Sequence, residues 1–238
     1  MVASQLRHNS RPSFWGCFLY AVLISATTGT NAQAQAPPQA EIGKWDVGVA
    51  VGYLAVQPEV DFVDRYADRW YSGGQVGVLA GHYFTPNLKA EVELSTSSEG
   101  RQWIQRQLPI PGAQFPPFQI IERFNRLREV SGAFVYQFFD NQVVHPFLML
   151  GVAADFDRVR SYAPRQTIVV DPRVQGAPVV VIPEVREGPE TMTSARLLVG
   201  GGAKMYFSPN AFVRTDSRFA TDGSGHHITF RIGLGLDF

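Results

Sequence analysis

Cysteine is nearly absent from this 238-residue chain. Its one residue, Cys17, excludes an intrachain disulfide framework and any cysteine-rich zinc site. No apolar run reaches the ~20 residues that a membrane-spanning helix requires. Neither charge is in surplus: 21 Lys plus Arg balance 21 Asp plus Glu, against a nucleic-acid binder that relies on a basic body. What remains is a chain long enough for one domain with a tail, with 45% hydrophobic residues, so on totals alone it reads as soluble. The spacing of those residues reverses that reading.

The N-terminal stretch has the three-part order of a secretory signal. Arg7 and Arg11 come first without an acid, then the apolar run Phe14 to Ala26, then small and polar residues. Ala32-Gln33-Ala34 offers a cleavage site, with the cut after Ala34. An anchoring helix is the alternative, and the apolar run is short for one. The expected organisation is a signal peptide at 1–34, a short periplasmic leader at 35–44 and a β-barrel domain at 45–238. Cys17 leaves with the signal, and the mature chain keeps 19 basic against 21 acidic residues.

Period-two alternation begins directly after the leader, the mark of strands whose two faces meet different surroundings. Trp45, Val47, Val49, Val51 and Tyr53 alternate with Asp46, Gly48, Ala50 and Gly52. Seven further segments alternate in the same way, at about 73–84, 88–97, 121–139, 145–158, 193–207, 211–219 and 226–238. The last is the clearest, with Ile228, Phe230, Ile232, Leu234, Leu236 and Phe238 opposite His227, Thr229, Arg231, Gly233, Gly235 and Asp237.

Short turns follow the second, fourth and sixth strands, including Thr85-Pro86-Asn87 and Ser208-Pro209-Asn210. Longer excursions follow the others, at about 56–72, 98–120, 159–192 and 220–225. An even number of antiparallel strands with short turns at one end and long loops at the other is the pattern of an outer-membrane barrel. Both ends of the strand series then lie at the short-turn end. In lipid the sheet must close, because an open edge leaves backbone groups unpaired.

The fold class expected is therefore all-β, an eight-stranded antiparallel transmembrane meander β-barrel. Its polar face combines charges with glycines, so that face turns inward and the apolar face turns to lipid. The interior charges are Asp46, Lys89, Glu91, Glu93, Glu129, Asp155, Arg196, Lys204, Arg214, Asp216, Arg218, Arg231 and Asp237. Both signs are interspersed across the strands, and a barrel of this size has little room inside. A salt-bridged, plugged lumen is expected rather than an open pore. Trp45, Tyr53, Tyr83, Phe84, Tyr136, Phe138, Phe139, Tyr206, Phe207, Phe219 and Phe238 fall near strand ends, as aromatic girdles would.

Three segments carry a family resemblance: Gly81 to Leu94, Gly200 to Phe219 and Ile228 to Phe238. The first two share Tyr-Phe-(Thr/Ser)-Pro-Asn at a strand end, and the third closes on Phe238 behind Leu236, Leu234 and Ile232. In these features the chain resembles the OmpA-type, or porin-family, outer-membrane barrels. The resemblance implies a Gram-negative cell envelope, contact with outer-membrane lipid and lipopolysaccharide, and assembly through periplasmic chaperones and the barrel-insertion machinery. It also implies that Phe238, Leu236, Leu234 and Ile232 form the membrane-insertion signal. No peptidoglycan-binding domain is expected, because no soluble segment follows the eighth strand. The expected state is a monomer that binds no nucleic acid.

No catalytic, cofactor-binding or metal site is expected. His226 and His227 are adjacent in a strand and so point to opposite faces, which leaves them as polar rim residues rather than paired ligands. Ser95, Ser97, Ser98, His82 and His145 lack the setting of a nucleophile, and both of those histidines fall at the short-turn end. In the excursion 159–192, Thr167 to Val170 and Val179 to Ile182 are β-branched runs around a turn-forming stretch, and they suit a hairpin above the membrane. Arg65, Arg69, Arg101, Arg106, Arg123, Arg126 and Arg128 lie in or near the loops, where they either meet lipid phosphates or stand in solvent. The function expected is a structural or surface-interaction role. A small-solute pore, an outer-membrane enzyme acting on lipid and a secreted ligand-binding barrel stand as alternatives.

Overall fold

Each strand carries backbone N–H and C=O groups along both edges and so needs a partner on either side, and a sheet so built has no free edge only when it closes. The computed structural model describes residues 44–57, 64–66, 70–107, 118–138, 143–169 and 179–238. The expected signal segment and residues 35–43 of the leader lie outside the described residues, as does Phe139.

The strands in chain order are β1 (Trp45–Gln57), β2 (Asp64–Tyr66), β3 (Tyr71–Tyr83), β4 (Leu88–Ser97), β5 (Gly100–Gln107) and β6 (Phe118–Gln137). They continue as β7 (Val144–Ala163), β8 (Gln166–Val169), β9 (Val179–Ile182), β10 (Val185–Tyr206), β11 (Ala211–Thr221) and β12 (His226–Asp237). Eight of these form the barrel: β1, β3, β4, β6, β7, β10, β11 and β12 each pair antiparallel with the next. Closure comes from β1 against β12, with Val49 opposite Leu234. At the seam Trp45 N donates to Phe238 O at 3.0 Å and Phe238 N to Trp45 O at 2.9 Å.

The short connections share one end. Gln137 N donates to Asn87 O at 2.7 Å, Tyr206 N to Val143 O at 2.9 Å, and Asp237 N to Asn210 O at 2.8 Å. At the other end the barrel rises further than the sequence periodicity indicated. The fifth and sixth strands, expected at 145–158 and 193–207, run as β7 to Ala163 and as β10 from Val185, paired up to Val185 opposite Ala163. The excursion expected at 98–120 holds β5, which pairs with β6 and with β2. The reason is apolar: Ile104, Ile121 and Ala163 are buried together inside this extension and hold it as sheet beyond the spanning part. The two β-branched runs do form a hairpin, with Gln166 opposite Ile182 and Val169 opposite Val179.

Candidate functional site: the barrel interior and its two faces

Along the membrane-spanning part of each barrel strand most charged and small residues face inward and most exposed apolar residues face outward, so the strands deliver polar side chains to the lumen from all sides. Asp46, Lys89, Glu91, Glu93, Glu129, Asp155, Lys204, Arg214, Asp216, Arg218, Arg231 and Asp237 are buried, and the Arg196 side chain is 9% exposed. These charges fall into three connected groups stacked along the barrel.

Near the short turns, Lys89 Nζ donates to Asp46 Oδ2 at 2.5 Å. Lys204 Nζ bridges Asp237 Oδ1 at 2.7 Å and Asp46 Oδ2 at 3.2 Å. Tyr83 belongs to this group rather than to a girdle. Its hydroxyl accepts from Lys204 Nζ at 2.9 Å and donates to Asp46 Oδ2 at 3.2 Å. Tyr206 likewise turns inward and donates to Asp237. Lys204 Nζ also stands 3.8 Å from the Phe212 ring centroid, a cation–π contact that helps replace its lost water.

The middle group is built on arginine. Glu91 receives Arg214 Nη1 at 2.5 Å, Lys89 Nζ at 2.9 Å and Arg218 Nη2 at 3.2 Å. Asp216 binds Arg231 Nε at 2.9 Å, Arg214 Nε at 3.0 Å and Arg218 Nε at 3.2 Å. Glu93 pairs with Arg218 Nη2 at 2.8 Å and with Arg231 Nη1. Forked guanidiniums can serve two carboxylates at once, which a point-like ammonium cannot do with fixed geometry. Glycine provides the room. A Cβ on Gly52 would come 2.6 Å from Arg231 Cγ, and one on Gly235 would run into the Phe212 ring.

The upper group centres on His227, which the sequence placed at a polar rim but which is 1% exposed. The alternation of its strand already put it on the face of Arg231; only its nearness to the loop argued for a rim. His226 points outward, as adjacent strand residues must, and its ring lies 5.0 Å from Trp70 and 5.8 Å from Phe219. His227 Nε2 lies 3.2 Å from Glu129, and Nδ1 lies 3.4 Å from Asp155 and 3.1 Å from Arg196 Nη1. Nδ1 accepts from Arg196 when bare and donates to Asp155 when it carries a proton. Glu129, Asp155 and His227 offer ligand atoms within 4.8 Å of one another. However, Arg196 Nη1 stands 3.2 Å from Asp155 and 3.1 Å from His227 Nδ1, so a fixed cation already engages two of these three groups.

Seven carboxylates of the predicted set (Asp46, Glu91, Glu93, Glu129, Asp155, Asp216, Asp237) thus face six fixed cations (Lys89, Arg196, Lys204, Arg214, Arg218, Arg231). Leu54, Leu198, Phe212 and Val135 fill further inward positions, each at most 1% exposed. The lumen is occluded by its own side chains.

Ser97 and Ser98 are engaged in backbone hydrogen bonds: Leu127 N donates to Ser97 Oγ and Gly74 N to Ser98 Oγ, both at 2.9 Å. Ser95 Oγ accepts from Gln75 Nε2 at 2.8 Å inside the barrel. His82 packs on Trp45 and Phe84 at the short-turn end, and His145 packs on Tyr206 at the same end. These serines and histidines do not converge on one site.

The outer face is the chemical opposite. Val49, Val51, Val78, Val92, Leu94, Phe134, Leu148, Leu150, Val152, Ile232 and Leu234 are all more than half exposed, and they form one continuous belt across neighbouring strands. A soluble protein rarely shows a large contiguous apolar patch, and this one surrounds a closed barrel whose charges are inside. The barrel is built for lipid. Trp45, Phe84, Tyr136, Phe207 and Phe238 mark the short-turn rim of the belt, while Tyr53 and Phe219 stand toward the loop end.

No protein-family model and no curated protein matches this sequence. Among solved structures, the chain is similar to Neisserial surface protein A, at 13% identity and a TM-score of 0.48 over 82% of this chain and 97% of that one. It is also similar to the outer membrane protein OprG from Pseudomonas aeruginosa, at 11% identity and a TM-score of 0.45 over 83% and 97%. A third likeness is to Ail, the attachment invasion locus protein of Yersinia pestis, at 12% identity and a TM-score of 0.44 over 83% and 99%. What assigns this barrel to a membrane is its own surface.

Proposed function

We propose that this chain is an integral outer-membrane protein that works by what it presents at the surface, with no conducting path through its barrel. The observation that carries this reading is the ion-paired interior: the lumen is spent on Asp46, Glu91, Glu93, Asp216 and their lysine and arginine partners. Burying that many charges is costly in a low-dielectric medium, and only mutual pairing offsets the loss of water. A transport path would have to break those pairs. Closure in an outer membrane also agrees with the strand geometry, since sheets that cross lipid must leave no edge.

In this reading residues 1–34 direct export, the short turns face the periplasm, and the long β6, β7 and β10 extensions with the β8–β9 hairpin face outward. Periplasmic chaperones and the barrel-insertion machinery deliver the chain, with Ile232, Leu234, Leu236 and Phe238 as the insertion signal. Their exposure on the outer face of β12 and just beyond it leaves them accessible during assembly. The surrounding amphiphile is outer-membrane lipid, including lipopolysaccharide in the outer leaflet.

Planar-bilayer recording of the purified full chain tests the occlusion. The expected result is no stable unit conductance, and a persistent step would overturn it. Carbonate extraction tests the membrane placement: the protein should stay with the membrane pellet, and release without detergent would sink the reading.

A further inference from the structure

Toward the loop end, the outward faces of β6 and β7 change abruptly from apolar to basic. Val130, Phe134 and Tyr136 on β6 give way to Arg128 and Arg126, and Leu148, Leu150 and Val152 on β7 give way, beyond Phe156, to Arg158 and Arg160. Arg126 stands directly opposite Arg158 in the ladder, and Arg128 lies opposite Phe156. From Tyr136 to Arg126, and from Leu148 to Arg158, is ten residues of strand. At ~3.3 Å per residue and a tilt of ~40°, that climb is about 25 Å, the height of a barrel's apolar band. The arginines therefore begin where hydrocarbon ends.

Like charges directly opposite on one sheet face repel, so this pairing lacks an internal reason. Of the carboxylates at this end, Glu99 is engaged by Arg160 at 2.7 Å and Glu122 by Arg101 at 3.7 Å. Among the described residues, Arg126, Arg128 and Arg158 have no ion-pair partner. Among the described residues, the barrel strands on the opposite side carry nothing comparable. Toward the loop end, β1, β11 and β12 present Tyr53, Ala55, Phe219, Ile228 and His226 outward, none with a fixed charge.

We infer that Arg126, Arg128 and Arg158 form a binding site for the phosphate group of a membrane-embedded lipid, whose acyl chains lie along the apolar strip beneath. The inference rests on the membrane placement proposed above. Charge complementarity supplies the recognition, since two facing guanidiniums present parallel N–H donors to one phosphate and an anion between them cancels their repulsion. Continuity with the apolar strip selects a lipid over a soluble anion. Only an amphiphile offers acyl chains below and a phosphate at this height.

The test uses the full chain in nanodiscs of phosphatidylcholine with a minor fraction of phosphatidic acid, and native mass spectrometry to count the lipids retained on release. Wild-type protein should retain phosphatidic acid over phosphatidylcholine by about tenfold beyond their ratio in the disc. The R126A/R158A variant should lose that preference, and R158A alone should lose part of it. R186A removes an exposed arginine that pairs with Glu184 instead, and it should leave the preference intact. Folding of the double variant is not endangered, because it removes two facing like charges.

Equal retention of both lipids by wild type, or an unchanged preference in R126A/R158A, would overturn the inference. So would displacement of the lipid by inorganic phosphate or by heparin, which would name a soluble anion as the occupant. Release of wild-type protein by carbonate sinks the membrane placement itself. Carbonate resistance without a phosphatidic acid preference sinks only the arginine site.

Discussion

The inner and outer faces of this barrel are made by the same strands, residue by residue, yet they hold together by opposite means. On β12, Arg231 is held by Asp216 and Glu93 in the interior, while Ile232 beside it is 54% exposed on the outer face. Inside, each side chain depends on particular partners, and the loss of one strands the others in low dielectric. Outside, a residue needs only to be apolar, because lipid chains are interchangeable neighbours. Specificity therefore sits in the lumen, and tolerance sits on the belt.

The sharpest way to break that contrast is to remove one interior cation. R231A should destabilise the barrel by about 3–5 kcal/mol, because Glu93 and Asp216 both lose a partner while buried. Denaturant unfolding in lipid vesicles reads this, and a loss below 1 kcal/mol would mean that the lumen is wetter than its packing indicates. Next comes a charge placed on the outer face. L150R sets a guanidinium where Leu150 is 58% exposed on the belt, and near mid-membrane it should cost about 2–4 kcal/mol. In a soluble barrel the same change would cost almost nothing, so a neutral result would reverse the assignment of the faces.

The smallest effect is expected outside the membrane, at the turn between β11 and β12. There Asp222 Oδ1 accepts from Gly225 N at 2.7 Å and Ser224 N at 3.0 Å, and Oδ2 accepts from Arg196 Nε at 3.2 Å. Slight burial works to raise its pKa, but the amide of Gly225, the hydroxyl and amide of Ser224 and the Arg196 guanidinium outweigh it and hold the carboxyl at about 2. Because the folded value is lower than that of a free carboxylate, its stabilisation is present above about pH 3.9. It is lost as pH falls through about 2. Carboxyl chemical shifts should therefore show Asp222 titrating below the ordinary aspartate range. D222N should lower stability slightly near neutral pH, where that contribution is present, and remove the low-pH titration.

Much of this architecture is legible without coordinates. The alternation around Trp45 to Tyr53 and Ile228 to Phe238 already separates the two faces, because side-chain direction in a strand is a local property. Girdle membership was legible less well. Tyr83 shares the parity of Gln75, Gly77 and Gly81, which marks it as inward, yet its nearness to a strand end pointed to the rim instead. The height of the extension was not legible at all, since Ile104 and Ile121 sustain the sheet through a contact between different strands.

The order of residues by itself determined the eight barrel strands, their two faces and the charge content of the interior, since each follows from periodicity along the strands. Which charges meet was decided only by closure. Arg231 and Glu93 are 138 residues apart, and nothing local in either strand names the other. Their encounter depends on the register of every ladder around the barrel, because a shift of one residue in any pair would turn a strand's whole inner face to lipid. The facing of Arg126 and Arg158 has the same origin. It is a fact of register between β6 and β7, and it places together at the edge of the apolar belt two cations that have no ion-pair partner among the described residues.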